Sequence, residues 1–188
     1  MTARASLPAV QSKLIFSPSI EALLGVIEGR IKPETRAALA DLRIGPPHRL
    51  EPAYPAENWA SAVKLVSADL FPGDEPNLQH RKLGAATLQR FSDSFIGRSM
   101  FGLARLLGAR RSLDRMTRNL RTGANYIETR FTVIDEKTYE LWINDVTGVP
   151  GFYAGLLCPE IELIPGWPKH VKIKKRDGEQ CWYELRHV

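Results

Sequence analysis

Cysteine is nearly missing from this chain. The two present, Cys158 and Cys181, cannot make a disulfide framework, and a reducing compartment would keep both as thiols. Histidine is also sparse, with four residues. His48, His80, His170 and His187 are scattered, and no CxxC, HxxxH or HExxH spacing occurs, so no metal site is expected. The opening residues carry no apolar run long enough for a signal peptide, and no later run could span a bilayer. The expectation is a cytoplasmic protein without a transmembrane segment. Internal repeats and low-complexity tracts are also lacking. So is any Ser-His-Asp arrangement, and Glu160 and Glu162 would diverge on a helix. No catalytic residue is assigned, and an enzyme is the disfavoured reading.

What is present is an ordinary globular composition, 44% hydrophobic over 188 residues, sufficient for the core of one domain. The formal charge of +5 permits an acidic partner without requiring one, because net charge governs non-specific contacts more than fold.

Along the chain, "KLIFSP" reads as a short strand stopped by Pro18. Ser19 is placed to cap a helix to about Arg30, with Ile20, Leu23, Leu24 and Ile27 on one face. A second helix opens at Lys32-Pro33-Glu34 and ends in the breaker "RIGPP". A third enters at Pro55 and carries Trp59, Val63, Val66 and Leu70 along one side, stopping at Pro72-Gly73. A fourth is expected from about Asn77 to Ile96, burying Leu83, Leu88, Phe91 and Phe95, with Gly97 as its break. "SMFGLARLLGA" gives a fifth, to Gly108, and "RRSLDRMTRNLR" a basic helix ending near Gly123.

The texture then changes to period two. "YIETRFTVID" and "TYELWIND" alternate across the loop Asp135-Glu136-Lys137, and "HVKIKKRDGEQCWYELRHV" makes two strands across Asp177-Gly178, a tight-turn dipeptide. Between the hairpins lies "GVPGFYAGLLCPEIELI", read as a helix over about 149–158. Gly155 lets its backbone approach the strands or a ligand closely, and Pro159 should shorten or kink it. The expected fold is α+β: an N-terminal helical cluster packed with a mostly antiparallel sheet of two hairpins joined by a crossing helix. It is taken as a single domain over 1–188, with a mainly helical half over 13–122 and a sheet-forming half over 123–188.

In their order and spacing, "IFSPSIEALL", "LADLRIG", "YPAENWASAVKLVSADLFPG", "HRKLGAATLQRFSDSFIGRSMFGLARLLGARRSLDRM", "NLRTGANY" and "GVPGFYAGLLCPEIELIPGWPKHVKIKKRDGEQCWYEL" resemble a myxobacterial paralogous family of uncharacterised proteins, domain of unknown function 2378. The resemblance covers about residue 13 to the end. More distantly, that family is similar to 4-vinyl reductase domains and the heme nitric-oxide-binding group. The likeness implies a regulatory, ligand-sensing module for aromatic compounds, or a dimeric subunit like those of related trafficking complexes. It transfers no catalytic residue.

Each candidate feature has a plainer alternative. Cys158 would need a base and an electropositive setting to react, and a buried thiol is the preferred reading; Cys181 alternates with Tyr183 and Leu185 as core. His80 could ligate heme, yet it stands beside Arg81 and Lys82, so a solvated histidine is expected and no cofactor is assigned. Arg111, Arg115 and Arg118 follow i, i+4, i+7 and should share a helix face suited to phosphate or carboxylate. No nucleic-acid motif accompanies them. Trp142, Phe152, Tyr153 and Trp182 are assigned as walls of an aromatic pocket, against the alternative that they simply pack the core. The leading function is a non-enzymatic sensor-like module binding a small apolar or aromatic ligand. Its rival is a dimeric protein-interaction module using the arginine stripe on an acidic partner.

Overall fold

The computed structural model describes residues 12–158 and 163–187. Pro159, Glu160 and Glu162, and with them the expected shortening by proline, lie outside the described residues. Among the described residues, seven helices and two antiparallel sheets form the expected α+β arrangement. Strand β1 (Leu14–Phe16) runs into α1 (Ser17–Ile27), followed by α2 (Pro33–Asp41), β2 (Ala53–Pro55), α3 (Ala56–Leu70) and α4 (Pro76–Ser92). Next come α5 (Phe95–Asp114), α6 (Met116–Leu120), β3 (Thr129–Val133), β4 (Thr138–Ile143), α7 (Pro150–Leu157), β5 (His170–Asp177) and β6 (Gln180–Arg186). Strands β1 and β2 pair as a small ribbon, which a bridge between Ile15 and Ala124 ties to the second half. The main sheet has the order β3-β4-β6-β5, so the two hairpins meet along β4 and β6.

Local chemistry moves three expected boundaries. The first helix starts at Ser17 with Pro18 in its first turn, while the Ser19 hydroxyl donates to the Gly123 carbonyl at 3.4 Å instead of capping. Helix α4 stops at Ser92 and not near Ile96, because the Ser94 hydroxyl accepts the Gly97 N–H at 3.0 Å and restarts the chain as α5. Gly97 is therefore inside a helix, and Phe95 is 80% exposed where burial was expected. The predicted basic helix is divided. Gly108, at φ 76°, kinks α5, and Arg115 leaves helical geometry between α5 and α6.

Helices α4 and α7 pack backbone to backbone. A Cβ on Gly84 would strike the Phe152 carbonyl, one on Gly151 the Asn77 carbonyl, and one on Gly155 the Arg81 carbonyl. The two backbones touch with no side chain between them. His80 sits beside this seam. It is 7% exposed rather than solvated, and its Nδ1 has no hydrogen-bond partner. Burial, with help from the Lys64 charge, holds its imidazole below the ordinary value against an opposing pull from Glu75.

Two outcomes follow from this packing. Gly155→Ala should cost about 1–3 kcal/mol or more through overpacking, lowering Tm by about 2–12 °C for a domain of this size. Gly102→Ala, on the open side of α5 with nothing within 4 Å of an added Cβ, should leave Tm unchanged or raised. A tolerated Gly155→Ala would refute the seam. Because the folded His80 binds its proton less readily than the unfolded chain, stability should be fully present above the unfolded value of 6.5 and fall as pH drops below it. Melting curves between about pH 7 and pH 5 should show this decline, and His80→Leu should flatten it.

Candidate functional site

Packing α7 over the sheet does not fill all the space beneath it. An apolar cavity of about 150 Å³ remains, walled by every helix except α2 and floored by β4. Helix α7 contributes Phe152, Tyr153, Leu156 and Leu157, and α4 contributes Thr87, Leu88 and Phe91. Met100, Phe101 and Ala104 project from the inner face of α5, and Met116, Asn119 and Leu120 from α6. Ile143 forms the floor, and Leu163, Ile164 and Trp167, after α7, close one side. Trp59 of α3 meets Phe152 edge to face, with centroids 5.4 Å apart and planes at 88°. The Trp167 indole N–H donates to the Leu157 carbonyl at 2.7 Å, anchoring the segment that follows the helix. Polar groups in the wall are mostly spent on the protein itself: the Thr87 hydroxyl donates to the Leu83 carbonyl at 2.8 Å, and that of Thr122 to the Asn119 carbonyl at 2.7 Å.

Near Tyr153 the hydroxyls of Tyr126 and Thr147 lead to a buried carboxylate. Asp145, 5% exposed, accepts the Lys13 ammonium at 2.6 Å, the Thr147 N–H at 2.8 Å and the Thr147 hydroxyl at 3.1 Å. A carboxylate only accepts, so the Thr147 proton points at Asp145 and Tyr126 must donate to Thr147, at 2.8 Å. Tyr153 lies near enough to Tyr126 for each phenol to act on the other's ionisation. Burial above all pushes the Tyr153 phenol well above its usual range, so it stays neutral in the cavity wall.

The four residues assigned as pocket walls are divided between two faces of the sheet. Phe152 and Tyr153 line the cavity. Trp142 and Trp182 do not: the period-two alternation turns them away from Leu141, Ile143, Cys181 and Tyr183, which face the core. They stand opposite each other across β4 and β6, with centroids 6.4 Å apart. Arg130 lies over Trp142 at 5.1 Å and Lys175 over Trp182 at 4.9 Å. The result is a cation–π ladder crossing all four strands on the outer face, worth about 0.5–1 kcal/mol per contact at such exposed sites.

The arginine stripe also changes. Arg111 belongs to the end of α5, Arg115 to the junction and Arg118 to α6, so no single helix face carries all three. Arg115 and Arg118 share a shallow surface depression with Arg121, and Arg111 does not. Cys158 caps the C-terminus of α7. It is half-buried, not buried as expected, and its thiol donates to the Lys169 carbonyl at 3.1 Å. Among the described residues it has no basic partner, whereas Cys181 is fully buried and burial raises its thiol.

Sequence reasoning missed the walls supplied by Met100, Phe101, Met116, Leu163 and Ile164. The available signal was the apolar character of "SMFGLARLLGA" around its whole circumference, which leaves one side to cover a cavity.

The fold recurs in known structures. The Fe(II) unliganded H-NOX protein from K. algicida superposes with a TM-score of 0.61 at 10% identity, covering 93% of this chain and 97% of that one. A Cs H-NOX mutant carrying the unnatural amino acid 4-cyano-L-phenylalanine gives 0.57 at 15%, covering 90% and 92%. An oxygen-binding H-NOX domain related to soluble guanylate cyclases gives 0.55 at 14%, covering 90% and 91%. At these identities the likeness is one of fold. Curated proteins give no match. Residues 13–187, which include every wall of the cavity and both glycine-bearing helices, match the family described as protein of unknown function DUF2378, and the chain belongs to that family.

Proposed function

We propose that the protein is a non-enzymatic, sensor-like module that holds a small apolar or monocyclic aromatic molecule in the cavity beneath α7. The cavity itself carries this reading. Its volume of about 150 Å³ and its Phe, Leu, Ile, Met and Trp lining match the size and character of an engineered protein cavity that stays dry and takes up benzene. A dry cavity of this size is costly to leave empty, about 24 cal/mol per Å³ in a cavity series, so an apolar guest of matching shape gains contact on every side. Helix α7, locked to α4 by glycines, holds Tyr153 in the wall and supplies the roof.

Heme is the group that the H-NOX fold implies, since the neighbours include heme proteins. The residues here do not fit it. Sites that bury drug-sized molecules run to about 300–1,000 Å³, well above this cavity. Its walls offer neither imidazole nor thiol among the described residues, because His80 lies on α4 outside the lining. Tyr153 is held as a neutral phenol, a poor iron ligand.

Native mass spectrometry of the full chain, with thermal shifts across a panel of monocyclic aromatics and short lipids, tests this. A bound guest at about a hundred times its Kd should stabilise by about 2.7 kcal/mol, or about 5–11 °C. Ala104→Leu, which fills the cavity from α5, should keep or raise the apo Tm and abolish the shift. A flat panel, or a shift that survives Ala104→Leu, defeats the proposal. A stoichiometric heme absorbance band after adding hemin would overturn the exclusion of porphyrin.

A further inference from the structure

We infer that the outer face of α5 docks on an anionic lipid surface. This does not rest on the ligand reading, since it concerns the opposite side of the helix. The inner face of α5 buries Gly97, Phe101 and Ala104. The outer face, which a helix of this length would normally make polar, carries Phe95 at 80%, Ile96 at 47%, Leu103 at 56% and Leu106 at 86% exposure. At 100° per residue these four fall within about a third of the circumference, with only Ser99 and Gly102 among them. Phe95 and Leu106 stand roughly 16 Å apart along the axis. No described element covers them.

The charges along and after this helix are mostly positive, with Asp93 just before it. Between Ser94 and Ile127 there are seven arginines and a single carboxylate, Asp114. Arg105 donates to the Leu163 carbonyl and Arg121 pairs with Glu128. Arg98, Arg110, Arg111, Arg115 and Arg118 make no ion pair among the described residues. What sets this stretch apart is its run of arginines with a single carboxylate in the sequence beside them.

An exposed apolar stripe flanked by arginine is the composition of a helix that lies in the plane of a membrane interface. Anionic headgroups would neutralise the arginines while Phe95, Ile96, Leu103 and Leu106 enter the acyl boundary. A second copy of the chain would bring like charges together around the same stripe.

The test is cosedimentation of the full chain with vesicles of phosphatidylcholine alone and of phosphatidylcholine with about one-third phosphatidylserine, at low and high salt. The protein should sediment only with the anionic vesicles and be released by salt. Phe95→Ser with Leu106→Ser should lower the partition coefficient by about tenfold or more. Arg110→Glu with Arg111→Glu should lower it by about 25-fold, at about fivefold per arginine lost. All four side chains are exposed, so melting curves should match the wild type. The inference is overturned if wild-type protein stays in the supernatant, sediments equally with neutral vesicles, or if either double variant binds as well as the wild type. Capture of an acidic protein by this face without vesicle binding would overturn it in favour of a protein partner.

Discussion

Two backbones in direct contact set the rest of this structure. Helices α4 and α7 meet where Gly84, Gly151 and Gly155 leave room for the carbonyls of Phe152, Asn77 and Arg81. Side chains of any size would hold the helices apart. With glycine, the surrounding residues close at short range and gain dispersion contacts that a wider crossing forfeits. The seam fixes α7 in both position and rotation, and so decides that Phe152, Tyr153 and Leu156 face inward. It also leaves His80 buried with Nδ1 unpaired, a polar cost tolerated at the edge of the contact.

The sheet beneath divides its labour by face. One side of β4 and β6 carries Leu141, Ile143, Cys181, Tyr183 and Leu185, all fully buried. Tyr183 reaches up to the Pro150 carbonyl with a 2.9 Å hydrogen bond, pinning the start of α7 to the strands below. The other side carries the tryptophan pair under Arg130 and Lys175. Aromatic area there is covered by cationic stems and not by protein core.

Helix α5 joins this interior to the surface. Its inner face walls the cavity, and its outer face carries large apolar side chains with arginines on the flank. A helix apolar on both sides has two surfaces to cover, and the fold covers one. Its kink at Gly108 turns the following arginines off the line they would hold on a straight helix, gathering Arg115, Arg118 and Arg121 around a shallow depression.

Local patterns made most of the elements legible. The two hairpins followed from period-two alternation and the Asp177-Gly178 turn, and the strands form where the alternation placed them. Helices α1 to α3 followed from proline positions and apolar spacing. The end of α4 was misread because a serine hydroxyl decided it, and Ser94 competes with Gly97 on nearly equal local terms. The alternation likewise showed that Trp142 was out of phase with Leu141 and Ile143, although its ring was assigned to the pocket. The sequence by itself thus determined most of the elements, the two hairpins and the glycine-bearing helix, since these depend on residues a few positions apart, but neither β2 nor the pairing of β4 with β6. Only the tertiary structure decided that Gly84 meets Phe152, that Met100, Ile143 and Trp167 surround one cavity, and that His80 is buried. Those contacts join residues tens of positions apart, and nothing in local spacing encodes which helix faces come together.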